Sequence, residues 1–266
     1  MLVTPGVQVI RAANPSPMTG EGTNTYVVGE QQIIVIDPGP VLPAHVEQIL
    51  SAAQRSGGRI TALLVTHQHS DHLPAAYTLK QRTGAPILAH PSVPGVDRAL
   101  DDGATVASEL GEIAILSTPG HADDHLSFWL ASQRLLFAGD LVAGVGTVVL
   151  SSSPGALSAY LASLRRLISL GPLTILPGHG PIVPNGVARV QSYLDHRAER
   201  DRQILTALAG GPRSVDEIVA RVYPDLRPEL RSMAGRNVSA HLEHLREAGL
   251  VERRGENWSR NNQTLS

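Results

Sequence analysis

Five of the eleven histidines in this 266-residue chain fall in three short segments, each at the end of an apolar run or in a glycine-rich turn. The first segment is His67-Gln68-His69-Ser70-Asp71-His72, the second Thr118-Pro119-Gly120-His121, and the third Pro177-Gly178-His179-Gly180. Between the last two lies Ala138-Gly139-Asp140, again directly after an apolar run. Imidazole and carboxylate groups are the donors that divalent first-row cations take. Histidines at i and i+2 in a tight loop can share one ion, and the Asp71 and His72 that follow can face a second. The chain has no cysteine, so the donors are nitrogen and oxygen alone. That set favours Zn²⁺ and admits Fe²⁺ or Mn²⁺. A single histidine beside Gly or Pro is usually a plain loop residue. Five histidines and two aspartates, all at strand ends, fit that reading poorly.

The elements that must position these donors are readable in outline. Gln32–Ile36 reads as a buried strand ending in the turn Asp37-Pro38-Gly39, and Ile60–Thr66 as another that runs straight into the first histidine segment. Apolar residues at helical spacing predict helices over Ala44–Arg55 and Pro74–Thr83, the second with its proline in the first turn. Short strands are expected at Ile87–Ala89, Glu112–Ser117, Leu126–Ala131, Leu135–Ala138 and Leu173–Leu176, with a helix over Ala156–Ser169. Four separate loops thus offer imidazole or carboxylate at a strand end, as a site held on a rigid rim requires. After Gly186 the pattern becomes helical and charged, which divides the chain into residues 1–185 and 186–266.

Composition removes several classes. Without cysteine there is no disulfide scaffold, thiolate nucleophile, Cys-ligated zinc or iron–sulfur site. A net charge of −2 is not that of a protein built to coat nucleic acid. Hydrophobic residues at 42% and charged residues at 17% fit a core-forming chain. No apolar run approaches the ~18 residues that span a bilayer, and no basic stretch precedes an apolar block at the start, so a cytoplasmic protein with no membrane partner is expected. There is no GxxxxGK[ST], dinucleotide fingerprint or GxSxG elbow.

His67-Gln68-His69-Ser70-Asp71-His72, together with His121, Asp140 and His179, resembles the HxHxDH…H…D…H signature of the metallo-β-lactamase superfamily, with every ligand position filled in order. The resemblance implies an α/β fold, a four-layer αββα sandwich with a di-metal site at one edge. It implies that His67, His69 and His121 hold the first ion, Asp71, His72 and His179 the second, and Asp140 both. A subclass of lactamases that uses a Cys ligand is excluded, and di-iron flavoproteins carry Glu where this chain has His69. Closer likeness is to the β-lactamase-like protein 2 group, a glyoxalase-II-like and ribonuclease-like branch. It rests on Asn14–Thr19, Gly22–Tyr26, Thr118–His125, Pro177–Pro181 and Tyr193-Leu194-Asp195-His196-Arg197. Ala122, and Leu73-Pro74 after the first segment, depart from the usual residues there and bear on substrate choice.

The implied activity is hydrolysis by a hydroxide shared between two Zn²⁺ ions, with Asp71 as the catalytic residue that both binds and orients. The resemblance makes single-stranded RNA the leading substrate, cut endonucleolytically. A glyoxalase-II-type hydrolase of thioesters or small esters is the alternative, and a winged-helix nucleic-acid-binding regulator a weaker third. A homodimer is admissible. His125 reads either as a substrate contact or as a support for a ligand, and Asp37 as a support or a plain turn residue. Asp123 and Asp124 read as turn caps.

The C-terminal part opens with a capped helix at Ser214–Val219, Ser at the cap and Glu three residues on. Asn237–Ala248 is an amphipathic helix ended by Gly249, and Leu250–Gly255 reads as strand and turn. This is the pattern of a winged helix, which the resembled group carries. From His196 to Arg260 there are 12 arginines against 10 carboxylates, a mild excess. Packing over the catalytic pocket is therefore the favoured role and nucleic-acid binding the other.

Overall fold

The structure, a computed structural model, describes all residues except 152, 172 and 262–266. One sheet holds seven strands in spatial order: β1 (Leu2–Thr4), β2 (Val7–Arg11), β3 (Asn24–Val28), β4 (Gln32–Ile36), β5 (Arg59–Leu64), β6 (Ile87–Ala89) and β7 (Arg98–Ala99). The second sheet orders β12 (Thr174–Pro177), β11 (Leu135–Gly139), β10 (Leu126–Leu130), β9 (Gly111–Ser117) and β8 (Thr105–Ser108). β1 to β4 pair antiparallel and β4 to β7 parallel. In the second sheet only the β11–β12 pair is parallel.

The apolar runs are continuous because both faces of the central strands are covered. Ile34, Ile36, Ala62 and Leu64 point into the core between the sheets, where they meet Ile113, Ile115, Phe128 and Phe137. Their neighbours Ile33, Val35, Leu63 and Val65 point outward onto α1 (Pro43–Arg55) and α2 (Pro74–Thr83). On the far side, Leu116, Leu136 and Ala138 pack on α3 (Ala156–Ile168) and α4 (Gly186–Ala207). The result is the expected αββα sandwich.

α4 serves two cores. Val190 and Tyr193 belong to the sandwich, whereas Ile204 and Ala207 belong to a separate small core with α5 (Val215–Val222), α6 (Arg231–Glu247), β13 (Val251–Arg254) and β14 (Asn257–Arg260). The expected boundary at residue 186 is thus the start of a helix that runs through both parts. α5 begins with a complete capping box between Ser214 and Glu217. β13 and β14 form the wing, with Trp258 buried at its base. α6 starts at Arg231, six residues before the expected Asn237; buried Ala234 extends the stripe of Val238, Leu242 and Leu245 by one turn, but its small side chain beside Gly235 marks that turn only weakly in the sequence. No helix among the described residues is long and apolar enough to cross a membrane.

Candidate metal centre

All the expected donor loops leave strands at one rim of the sandwich. β5 runs out into Thr66-His67, β9 into the turn of His121, β11 into Asp140 and β12 into His179. The structure brings the seven residues into two groups, His67, His69, His121 and Asp140 in one, and Asp71, His72 and His179 in the other, and within each the donor atoms all lie within 4.8 Å of one another. His69 Nδ1 sits 2.9 Å from His67 Nε2 and 3.0 Å from His121 Nε2. Asp140 lies between the groups: Oδ2 is 3.5 Å from His121 Nε2 and 3.3 Å from His179 Nε2, and Oδ1 is 3.5 Å from His72 Nε2. Asp71 Oδ2 is 3.2 Å from His179 Nε2 and accepts the Thr23 hydroxyl at 3.1 Å.

The imidazoles of His67, His72 and His121 are each held from behind through one ring nitrogen, which leaves the other facing inward. His72 Nδ1 donates to Asp37 Oδ2 at 2.9 Å. His67 Nδ1 lies 3.0 Å from the Thr66 hydroxyl, which itself donates to Asp37 Oδ2 at 2.8 Å. His121 Nδ1 donates to the Val149 carbonyl at 2.7 Å. Asp37 therefore steadies one histidine of each group. It does so from a left-handed backbone, φ 49°, unusual for a residue with a side chain, and is 2% exposed.

His125 is fully buried behind Asp140. Its Nε2 accepts the Asp140 backbone N–H at 3.1 Å, so Nδ1 carries the proton and donates to Thr118 Oγ1 at 2.9 Å. It supports a candidate ligand and does not line the cavity. Glycine is required beside the cluster: a Cβ on Gly178 would stand 2.4 Å from Asp140 Oδ1 and 2.8 Å from His72 Cε1. The turn that carries His179 is anchored by the other sheet, Asn24 Nδ2 donating to Pro177 O and Gly180 O at 3.0 and 2.9 Å and the Tyr26 hydroxyl to Pro177 O at 2.8 Å.

Several of these supports were not foreseen from the sequence. Thr66, Thr118, Asn24 and Asp124 are buried polar residues at strand ends. Asp124, expected to cap a turn, accepts the Gln68 backbone N–H at 2.9 Å and so ties the first histidine loop to the second. The available signal was position, since each flanks a donor segment or starts a strand at the same rim.

Charge is divided unevenly. Burial holds His67 well below the ordinary histidine pKa and also lowers His121. Burial opposes charge on His72 and His179 too, but there the carboxylates outweigh it. Asp140 and Asp37 hold His72 well above its ordinary value, and Asp140 and Asp71 raise His179 to about 9. Burial raises Asp71, yet the His179 hydrogen bond and the His72 charge bring it down to about 2.

A divalent pair fits these residues. His72 Nε2 and Asp140 Oδ1 are buried with no hydrogen-bond partner, a state that costs about 1–3 kcal/mol per group unless something satisfies it. Three imidazole nitrogens in mutual contact likewise have lone pairs and too few protons to share. A cavity of about 1120 Å³ opens over the cluster, walled by Met18, Gln68, His90, Ala122 and Leu150 among others.

The chain was compared with known proteins. The model of the metallo-beta-lactamase superfamily matches residues 18–179, and that of the beta-lactamase associated winged helix domain residues 214–258. A beta-lactamase-like protein 2 homolog of Caenorhabditis elegans is 32% identical over 254 residues, covering 90% of this chain and 83% of the relative. An atrochrysone carboxyl ACP thioesterase of Aspergillus chevalieri is 34% identical over 233 residues, covering 83% of this chain and 74% of the relative. The crystal structure of a metallo-beta-lactamase family protein from Thermus thermophilus matches in fold with a TM-score of 0.80 at 22% identity, covering 98% of this chain and 100% of that one. This chain belongs to the metallo-beta-lactamase superfamily of hydrolases and carries the family's associated winged helix at its C-terminal end.

Proposed function

We propose that the chain is a hydrolase dependent on two divalent cations and acting on carboxylic thioesters or related esters. In this reading His67, His69 and His121 hold one ion, Asp71, His72 and His179 the other, and Asp140 both. Zinc is the ion the nitrogen-rich donor set favours, with Fe²⁺ and Mn²⁺ as alternatives. Such a pair supplies Lewis acidity, lowering the pKa of bound water toward ~7 and polarising the substrate oxygen.

The remaining work falls to the chain. Asp71 orients the attacking water by accepting its hydrogen bond. Thr23 fixes the Asp71 carboxylate, and Asp37 and His125 keep the donors from turning. No Ser or Cys nucleophile is needed.

The observation that carries the substrate class is the wall of the cavity. Among the described residues lining it there is no lysine or arginine, and no Phe, Tyr or Trp. A polyanion would find no cation for its flanking phosphates and its bases no aromatic ring to stack on. A neutral carbonyl substrate needs neither. The thioesterase name borne by the Aspergillus relative supports the same choice. Single-stranded RNA remains the second reading, favoured by Arg236, which lines a groove beside the cavity and belongs to the winged helix.

The test is a substrate panel for zinc-reconstituted protein: acetyl and longer acyl thioesters, unstructured RNA and a lactam. Thioester turnover is expected. Asp71→Ala should reduce it by roughly 10²-fold or more, the range for a positioned proton-handling group, with the circular dichroism of the fold unchanged. Cleavage of RNA with thioesters left intact would pass the site to the ribonuclease reading.

A further inference from the structure

We propose that Arg197 is a positioning residue for the metal centre, acting through the strap of residues 143–151 that crosses the mouth of the cluster; the role toward the ion rests on the hydrolase reading above. Two donor loops depend on that strap. The Val149 carbonyl accepts the His121 ring N–H at 2.7 Å, and Ser151 N–H donates to the Gly120 carbonyl at 2.8 Å. At the other end Gly144 N–H donates to the His179 carbonyl at 2.9 Å. The strap has no helix or strand of its own, so its shape comes from what grips it.

The grip comes from one face of α4. Arg189, Tyr193, Arg197 and Asp201 recur every four residues, and side chains at that spacing share a face. Arg189 donates to the Ala143 and Gly146 carbonyls, Nη2 at 3.2 and 3.0 Å, and the Tyr193 hydroxyl to Gly146 O at 3.0 Å. Arg197 Nη2 donates to Val148 O at 2.9 Å, one residue before the carbonyl that holds His121. Its guanidinium lies over the Tyr160 ring at 5.4 Å. Arg197 is 4% exposed, and a planar cation with several fixed donors is what a buried carbonyl beside an aromatic face selects. One turn further on, Asp201 accepts His241 Nδ1 of α6 at 2.7 Å. The stripe therefore links the winged helix to the strap, and it gives Tyr193-Leu194-Asp195-His196-Arg197 a function that the catalytic donors do not supply.

Loss of a group that orients a ligand from behind typically weakens metal binding 10- to 100-fold. In Arg197→Ala, zinc affinity by calorimetry should fall by roughly tenfold or more. At limiting zinc kcat should follow it while KM for the thioester is unchanged. The His121 ring N–H resonance should move or broaden relative to the wild type even in metal-free protein. Added guanidinium ion should restore part of the zinc affinity. Arg197→Lys, which keeps the charge and stem, is read in the same way should the alanine variant not fold. A folded variant with wild-type zinc affinity and an unmoved His121 resonance overturns the proposal and leaves Arg197 a packing residue. If the wild type itself takes up no zinc, the hydrolase reading fails instead, and the resonance in metal-free protein still decides whether Arg197 positions His121.

Discussion

The two groups of the cluster are held ready in opposite ways. Around His67 and His121 the supports are a hydroxyl and a backbone carbonyl, and burial keeps both rings below their ordinary pKa. Their lone pairs are free at neutral pH. Around His72 and His179 the supports and neighbours are carboxylates, which draw protons onto the rings. Without an ion this second group is an internal ion-pair network, and a cation entering it must displace protons. The first group is prepared for a metal by desolvation, the second by charge, and Asp140 stands between them, within 3.5 Å of a ring nitrogen in each.

The largest expected effect removes that shared member. Asp140→Ala should cost more than the ~10–100-fold of losing a mere support, and zinc content by elemental analysis should fall from two ions per chain to one or none. Two retained ions would break the assignment of Asp140 to both groups.

The pH dependence should separate the groups. Between pH 9 and pH 7 the proton on His179 competes with the second ion, which lowers its apparent affinity by about 50-fold from this one ring. The first ion should vary far less, since His67 and His121 are already neutral imidazoles there. In metal-free protein the sign for folding is opposite. A raised histidine pKa adds stability that is full below the ordinary value of 6.5 and is lost as pH rises through about 9. The melting temperature of metal-free protein should therefore decline over that window, and a flat profile would contradict the ion-pair description.

Removing supports tests the same division more gently. Asp37→Asn should weaken both ions, roughly tenfold or more, because Asp37 reaches His72 directly and His67 through Thr66. Thr66→Val should weaken the first ion alone. Calorimetric titration with zinc distinguishes the two patterns. The smallest effect is expected for His125→Phe, which leaves the Asp140 N–H without its acceptor. About 1–3 kcal/mol of stability should be lost, a melting shift of several degrees, with both ions retained.

The donor set was legible because it is local. The spacing of His67, His69, Asp71 and His72 lies within one loop, and His121, Asp140 and His179 each end a strand whose apolar run announces it. β4, α2 and β6 stand where the pattern puts them. β1 to β3, β7 and β8 did not stand out. β3 is the instructive case: it opens with Asn24 and Thr25, buried polar residues that read as loop but serve the His179 turn and the Asp37 carbonyl. Thr66, Thr118 and Asp124 escaped for a similar reason. Threonine and aspartate are at home in any turn, and only a partner across space gives them a particular task.

The amino-acid order alone determined which atoms are available to bind cations, and the continuous apolar strands that carry them to a rim. It also set the break in pattern after Gly186. It did not determine that His125 stands behind Asp140 and away from the cavity, that one aspartate steadies both groups, or that α4 grips the strap over the site. Those relations depend on distances between segments far apart in the chain. A hydrogen bond is decided within a few tenths of an ångström, and only the packed sheets and helices fix positions that finely.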